Sequence, residues 1–221
     1  MKYSAVIFDL DGTILDSEDM WRKATLCALE SRGIVLDKET ATKCKRQLRG
    51  LGLTEFAKFL KEKFNLKETP ETIIQEQNKV ATKLYAQEIK FMDGFIDFHK
   101  KIEVHKLKRG IATNADLTTV NLAKNKFNLE EFFGSHIYCM EDVNYICKPA
   151  PDLYLHAARK LNVDPADCLV IEDAKCGVEA AKNAGMFCIG FNSAQDREML
   201  KDADLIVDSY KEIELDKILS I

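Results

Sequence analysis

The sequence predicts an α/β fold: a doubly wound, mostly parallel sheet core with an all-helical segment inserted after the first strand. Three observations carry this. Short, nearly continuous apolar runs recur at Ala5–Phe8, Gly110–Ala112, Ile137–Cys139, Leu169–Ile171, Phe187–Gly190 and Leu205–Val207. Such runs suit strands covered on both faces. Helical patterns separate the later runs, and strand–helix alternation builds parallel sheets with helices on both sides. Between the first two runs, the stretch from about Glu18 to Ile89 is rich in helix formers and poor in β-type segments.

Taken in order, Ala5–Phe8 is the first strand and leads directly into Asp9-Leu10-Asp11-Gly12-Thr13. In the inserted segment, Phe56, Phe59, Leu60 and Phe64 share one helical face. Ile73, Gln77, Val80, Leu84 and Gln87 trace another, with Ala81 and Tyr85 beside it. Pro70 suits the first turn of that helix and Thr69 its N-cap. The chain returns to the sheet near Met92-Asp93-Gly94, which assigns residues 1–16 and 91–221 to the α/β core and 17–90 to the helical domain. The basic run from Lys100-Lys101 through Lys106, Lys108 and Arg109 is interrupted by Ile102, Val104 and Leu107, so it reads as a solvated helix end. Apolar residues then mark helices over Leu117–Phe127 (Val120, Leu122, Ala123, Phe127), Tyr154–Leu161 (Leu155, Ala158, Leu161) and Val178–Ala184 (Val178, Ala181, Ala184). Trp21 is expected in the core.

The totals exclude several classes. With 221 residues, 46% of them hydrophobic, the chain can bury a substantial core. A formal net charge of -4 gives no general attraction to nucleic acid. No apolar stretch approaches the roughly 20 residues that span a bilayer. The opening Met1-Lys2-Tyr3-Ser4 runs into a strand without a signal peptide's apolar region. The 7 cysteines form no C-x-x-C pair and read as free thiols of a reducing compartment, so a cytoplasmic protein is expected. The 4 histidines lack zinc-site spacing. Oligomeric state is not legible, and a monomer is compatible with everything above.

The candidate site emerges at the carboxyl ends of the strands, where open parallel sheets bind ligands. The first strand ends in Asp9 and Asp11, the second in Thr113-Asn114, and the fourth in Glu172-Asp173. The loop after the third carries Lys148 in Cys147-Lys148-Pro149-Ala150-Pro151-Asp152. Asp9 and Asp11 would share a strand face only if the strand reached Asp11; otherwise the bend through Leu10 to Gly12 must bring them together. Crowded carboxylates at a buried edge need a cation or a proton between them. Asp9, Asp11, Glu172 and Asp173 offer the oxygens a hard divalent cation takes, most suitably Mg²⁺. Lys148 and Thr113 add the positive charge and hydroxyl that an anionic group needs. Together they describe a phosphoryl-transfer centre in which a carboxylate attacks a neutralised phosphate.

These four segments, with Ala180-Ala181-Lys182-Asn183-Ala184-Gly185-Met186 after the last, resemble the four ordered motifs of the haloacid dehalogenase-like superfamily. The insertion resembles the helical cap of the subgroup containing phosphoglycolate phosphatases and β-phosphoglucomutases. The resemblance covers essentially the whole chain and implies a Rossmann-like core. It implies that Asp9 is the nucleophile, which becomes an aspartyl-phosphate and binds Mg²⁺. Asp11 would be the general acid/base and lend its main-chain carbonyl to the metal. Thr113 would hydrogen-bond the transferring phosphoryl group with Asn114 beside it, and Lys148 would balance charge. Asp173 would be the principal distal metal ligand, assisted by Glu172, and Asp16-Ser17 would form the hinge to the cap.

Blander readings exist for each piece. Asp9-Leu10-Asp11-Gly12 alone could belong to a calcium loop, Thr113-Asn114 to a turn, and Glu172-Asp173 to an acidic helix start. Their coincidence at successive strand ends outweighs these. The expected activity is Mg²⁺-dependent hydrolysis of a small phosphorylated metabolite. A phosphosugar mutase is the alternative: the resembling mutases carry a His where Trp21 stands, and a cap Arg near Gly50-Leu51-Gly52-Leu53 for which Arg46 or Arg49 would have to substitute. C–halogen hydrolysis would leave Asp11, Glu172 and Asp173 as needless charges, and a non-catalytic phosphate sensor would not need every position filled.

Overall fold

Six parallel strands frame the molecule in the order β3-β2-β1-β4-β5-β6. They are β1 Ala5–Phe8, β2 Lys108–Ala112, β3 Ile137–Tyr138, β4 Cys168–Glu172, β5 Phe187–Phe191 and β6 Leu205–Val207. The structure is a computed structural model and describes residues 2–37, 39–41, 43–44 and 53–220. Every predicted β run is a strand, with ends shifted slightly. Cys139 leaves the ladder because its N–H donates to Asp142 Oδ2 at 2.8 Å, starting a short 3₁₀ turn.

The central strand β1 is apolar throughout, and β4 as far as Ile171, because both faces are covered. Val6 and Phe8 of β1 join Leu169 and Ile171 of β4 in one core, while Ala5 and Ile7 join Cys168 and Val170 in the other. Helices α4 Phe95–Val104, α5 Leu117–Phe127, α6 Leu129–Phe133 and α9 Leu215–Leu219 bury residues in the first core, to which the inserted segment adds Met20, Ala24, Ala81 and Tyr85. The second core is closed by α7 Asp152–Leu161 and α8 Lys175–Asn183. The fold is therefore the expected doubly wound α/β sandwich. The α7 face differs from expectation: Leu153, Tyr154, Ala157, Ala158 and Leu161 are buried, whereas Leu155 is exposed. A helix lying flat on a sheet buries a broad stripe, so the inward residues flank the position the periodicity alone selects.

Between β1 and β2 lie α1 Glu18–Glu30, α2 Leu53–Phe64 and α3 Pro70–Glu88. Thr69 caps α3 by accepting from the Thr72 N–H at 3.3 Å, with Pro70 as its first residue. Phe56, Ala57 and Leu60 of α2 pack with Leu29, Leu66 and Ile73 into a small core of the insertion. The buried seam of α3 is Ile73, Gln77, Ala81 and Tyr85, an i, i+4 stripe; Val80 and Leu84 are half-buried beside it. The Gln87 side chain lies outside the described residues, as do Arg46, Arg49 and Gly50-Leu51-Gly52. The chain enters and leaves the insertion along adjacent paths. The Asp16 N–H donates to Lys90 O at 3.0 Å and the Met92 N–H to Ile14 O at 2.8 Å.

The basic run resolves as a helix end and strand edge: Arg109 pairs with Glu103 at 2.8 Å, and Lys108 Nζ donates to Leu161 O at 2.7 Å. All seven cysteines are free thiols. Among the described residues, no helix is long and apolar enough to cross a membrane.

Candidate active site

Sheet register brings the first and last acidic motifs together. Phe8 is level with Ile171 of β4 and Ile111 of β2, so the next residue, Asp9, stands beside Glu172 where both strands end. The Asp9 N–H extends the ladder by donating to Ile171 O at 3.0 Å. This is also where the strand order reverses, since β2 lies on one side of β1 and β4 on the other. Diverging connections leave a crevice at such a point. The strand stops at Phe8, so Asp9 and Asp11 are not neighbours on a pleat; the bend through Leu10 separates their carboxylates.

Three carboxylates converge. Asp9, Glu172 and Asp173 each offer an oxygen, all within 4.8 Å of one another and all buried. One ammonium faces them: Lys148 Nζ donates to Asp9 Oδ1 at 2.6 Å and to Glu172 Oε2 at 2.8 Å. Its position is supported by the Tyr154 ring, whose centroid lies 4.6 Å away. The Tyr154 hydroxyl donates to the same Glu172 Oε2 at 2.5 Å, and the main-chain N–H groups of Asp173 and Ala174 donate to Oε1 at 3.1 and 3.0 Å. Burial works against the Lys148 charge, but Asp9 and Glu172 outweigh it and push the ammonium's pKa up. Burial, and then the Glu172 charge, push the Asp9 carboxyl well above the usual carboxylate range despite Lys148. One cation is thus insufficient for the three anions.

Two glycines make this crowding possible. A Cβ on Gly12, whose φ is +86°, would lie 2.1 Å from Asp173 Oδ2, and one on Gly177 would lie 1.9 Å from the Glu172 carboxyl. No larger residue fits at either position without displacing a carboxylate.

Asp11 lies apart from the trio. Its Oδ1 accepts from Ser17 Oγ at 2.6 Å and Trp21 Nε1 at 3.2 Å, both on the path into or within α1. Burial raises its pKa, and these two donors partly counter that. Trp21 is therefore half-buried with its indole N–H on a site carboxylate, a polar role that the core expectation missed. Thr113 is buried at the end of β2, and its Oγ1 accepts from the Ala115 N–H at 3.1 Å. Asn114 clamps the Lys148 main chain: Oδ1 accepts from its N–H at 2.9 Å and Nδ2 donates to its carbonyl at 3.4 Å. Asp173 is contacted by Ser193 Oγ at 3.3 Å and Thr13 Oγ1 at 3.5 Å.

Sequence reasoning missed Tyr154 and Ser193 as well as Trp21. Tyr154 was detectable as the phenol in the first turn of the helix that follows the Lys148 loop. Ser193 carries no local signal, since only the return of β5 brings it to Asp173.

A cavity of about 180 Å³ opens between the strand ends and the inserted helices. Asp9, Thr113, Asn114, Lys148, Glu172 and Asp173 line its floor, and Trp21, Thr25, Phe56 and Gln77 line the side of the insertion. An anion seated there would meet both the ammonium and the hydroxyl. The donor set also fits a metal. Three buried carboxylates against one buried ammonium leave an excess of two negative charges, and the donors are all hard oxygens, which suits Mg²⁺.

The chain is similar to known proteins along most of its length. The sequence profile of the haloacid dehalogenase-like hydrolases matches residues 6–191. A probable pseudouridine-5'-phosphatase of Drosophila melanogaster is 31% identical over 190 residues, covering 84% of this chain and 80% of that protein. The β-phosphoglucomutase of Bacillus subtilis is 28% identical over 220 residues, covering 96% of this chain and 92% of that protein. The crystal structure of a family IA, variant 3 hydrolase from Entamoeba histolytica superposes with a TM-score of 0.85 at 26% identity, covering 98% of each chain.

Proposed function

This chain belongs to the haloacid dehalogenase-like hydrolase family and is a phosphoric monoester hydrolase; on that premise we propose a Mg²⁺-dependent phosphatase that cleaves a small sugar phosphate or related metabolite through an aspartyl-phosphate on Asp9. The observation that carries the reading is the buried Lys148 ammonium bonded to both Asp9 and Glu172, in one cluster with Asp173. We assign residues 17–90 to a helical cap over the α/β core and place the enzyme in the cytoplasm.

Asp9, Asp173 and Glu172 would hold Mg²⁺, with the Asp11 main-chain carbonyl. Bound there, the metal supplies positive charge that lowers the repulsion between a carboxylate nucleophile and a phosphate dianion. Lys148 orients the Asp9 carboxylate and contributes the second cation. Thr113 and Lys148 bind the transferring phosphoryl oxygens, and Asn114 keeps Lys148 in place. The Asp9 oxygen forms a bond to phosphorus as the ester P–O bond breaks. Asp11, whose pKa burial raises, gives its proton to the departing oxygen. The Asp11 carboxylate then takes a proton from a water that attacks phosphorus, which releases inorganic phosphate and restores Asp9. The walls of the insertion limit bulk water around the phosphoryl group while this happens.

A mutase reading is supported by the likeness to the Bacillus subtilis β-phosphoglucomutase and to the solved β-phosphoglucomutase of Clostridium difficile. It differs only in the final acceptor, a sugar hydroxyl in place of water. Incubation of the protein with Mg²⁺ and a panel of sugar phosphates, phosphoglycolate and nucleoside monophosphates separates the two. Free phosphate is the expected product; a phosphosugar isomer without phosphate release would replace hydrolysis by transfer.

A further inference from the structure

We infer that Gln77 is a specificity-determining residue that accepts a hydrogen bond from a hydroxyl on the leaving group of the substrate. The inference rests on the phosphatase reading above and adds the chemistry of the alcohol.

Gln77 sits on the buried seam of α3, is 1% exposed, and lines the same cavity as Asp9 and Lys148. Among the described residues, its Oε1 is buried without a hydrogen-bond partner. The orientation of the amide follows from its neighbour. The Thr25 hydroxyl gives its single proton to Trp21 O at 2.8 Å, so it can only accept from Gln77, whose Nε2 lies 3.5 Å away. The amide nitrogen is therefore turned to Thr25, and the carbonyl oxygen is left to the cavity. A buried acceptor with no partner is costly and is normally satisfied by ligand or water. Leu26, Leu36 and Phe56 also line this end of the cavity, surroundings that favour a ligand carrying both an apolar skeleton and one donor.

Placement along α1 relates this acceptor to the reacting centre. Trp21 reaches Asp11, the proposed proton donor to the ester oxygen, and Thr25 stands one helical turn further along the same face. Side chains so related are about 5–6 Å apart at Cβ. The hydroxyl recognised by Gln77 therefore belongs on the leaving group beyond the ester oxygen, as in a phosphorylated polyol or sugar.

The test is a matched pair of esters, glycerol 1-phosphate and propyl phosphate, with p-nitrophenyl phosphate as a third substrate, all with Mg²⁺. Wild-type kcat/KM should favour glycerol 1-phosphate by about tenfold or more, since a site built to pair with a hydroxyl discriminates against its absence. Gln77→Leu should remove most of that preference, lowering kcat/KM for glycerol 1-phosphate by more than for propyl phosphate. Equal wild-type rates on the two esters, or an equal loss on both in Gln77→Leu, would overturn the inference while leaving the phosphatase reading intact. The wild-type ratio needs no variant to fold. Hydrolysis of none of the three would overturn the phosphatase reading, and this inference with it.

Discussion

Asn114 holds Lys148 by the main chain, accepting from its N–H and donating to its carbonyl, so the loop after β3 is hooked to the end of β2. The ammonium at the other end of that lysine reaches Asp9 at 2.6 Å. Asn114→Ala should therefore lower kcat by roughly 10- to 100-fold through misplacement of Lys148, with a smaller effect on KM. Removal of two neutral hydrogen bonds should cost about 1–3 kcal/mol of stability. Steady-state kinetics alongside thermal unfolding check this; a KM effect alone would assign Asn114 to ground-state binding.

Trp21 offers a second test through pH. Its indole N–H stabilises the ionised form of Asp11, whose pKa is raised chiefly by burial. Trp21→Phe removes that donor and should raise the Asp11 pKa further, by up to about one unit for a bond worth roughly 1 kcal/mol. The acid form of Asp11 protonates the leaving oxygen, so the alkaline limb of the kcat/KM profile should move to higher pH. An unmoved limb would remove Asp11 from the acid role.

The site's legibility in the sequence depended on the range of each interaction. Strands, their order of appearance and the acidic residues at their ends are local, and they could be read from runs such as Leu169–Ile171 followed by Glu172-Asp173. The pairing of Asp9 with Glu172 needed only the parallel register of β1 with β4. Trp21 stands where the resembling mutases carry a His, yet as an aromatic at helical spacing it reads as core, and only the bend after Phe8 turns Asp11 towards it. Gln77 was legible as a position on a helix face, but not as a residue facing the cavity. That follows from how α3 packs on α1, which depends on contacts far apart in the chain.

Metal dependence should follow the charge excess. Asp9's raised pKa means that the folded protein binds its proton more tightly than the unfolded chain does. Without metal, Asp9 therefore loses stability for the fold as pH rises from its ordinary range through the raised one. Mg²⁺ binds the ionised trio and competes with the proton, so saturating Mg²⁺ should raise Tm more at pH 8 than at pH 5.5. Mg²⁺ removal by chelation should abolish turnover. A Tm shift equal at both pH values would place the ion away from Asp9.

Phosphate release by Asp9→Asn tests the covalent route most directly, because the substitution removes the nucleophile's charge and keeps its volume. With Mg²⁺ and a substrate that the wild type hydrolyses, the variant should lose on the order of 10⁴-fold or more in kcat while keeping its folded spectrum, as loss of a nucleophile does elsewhere. A rate close to wild type from the folded variant would mean that water reaches phosphorus without an aspartyl-phosphate, and would contradict the assignment of Asp9.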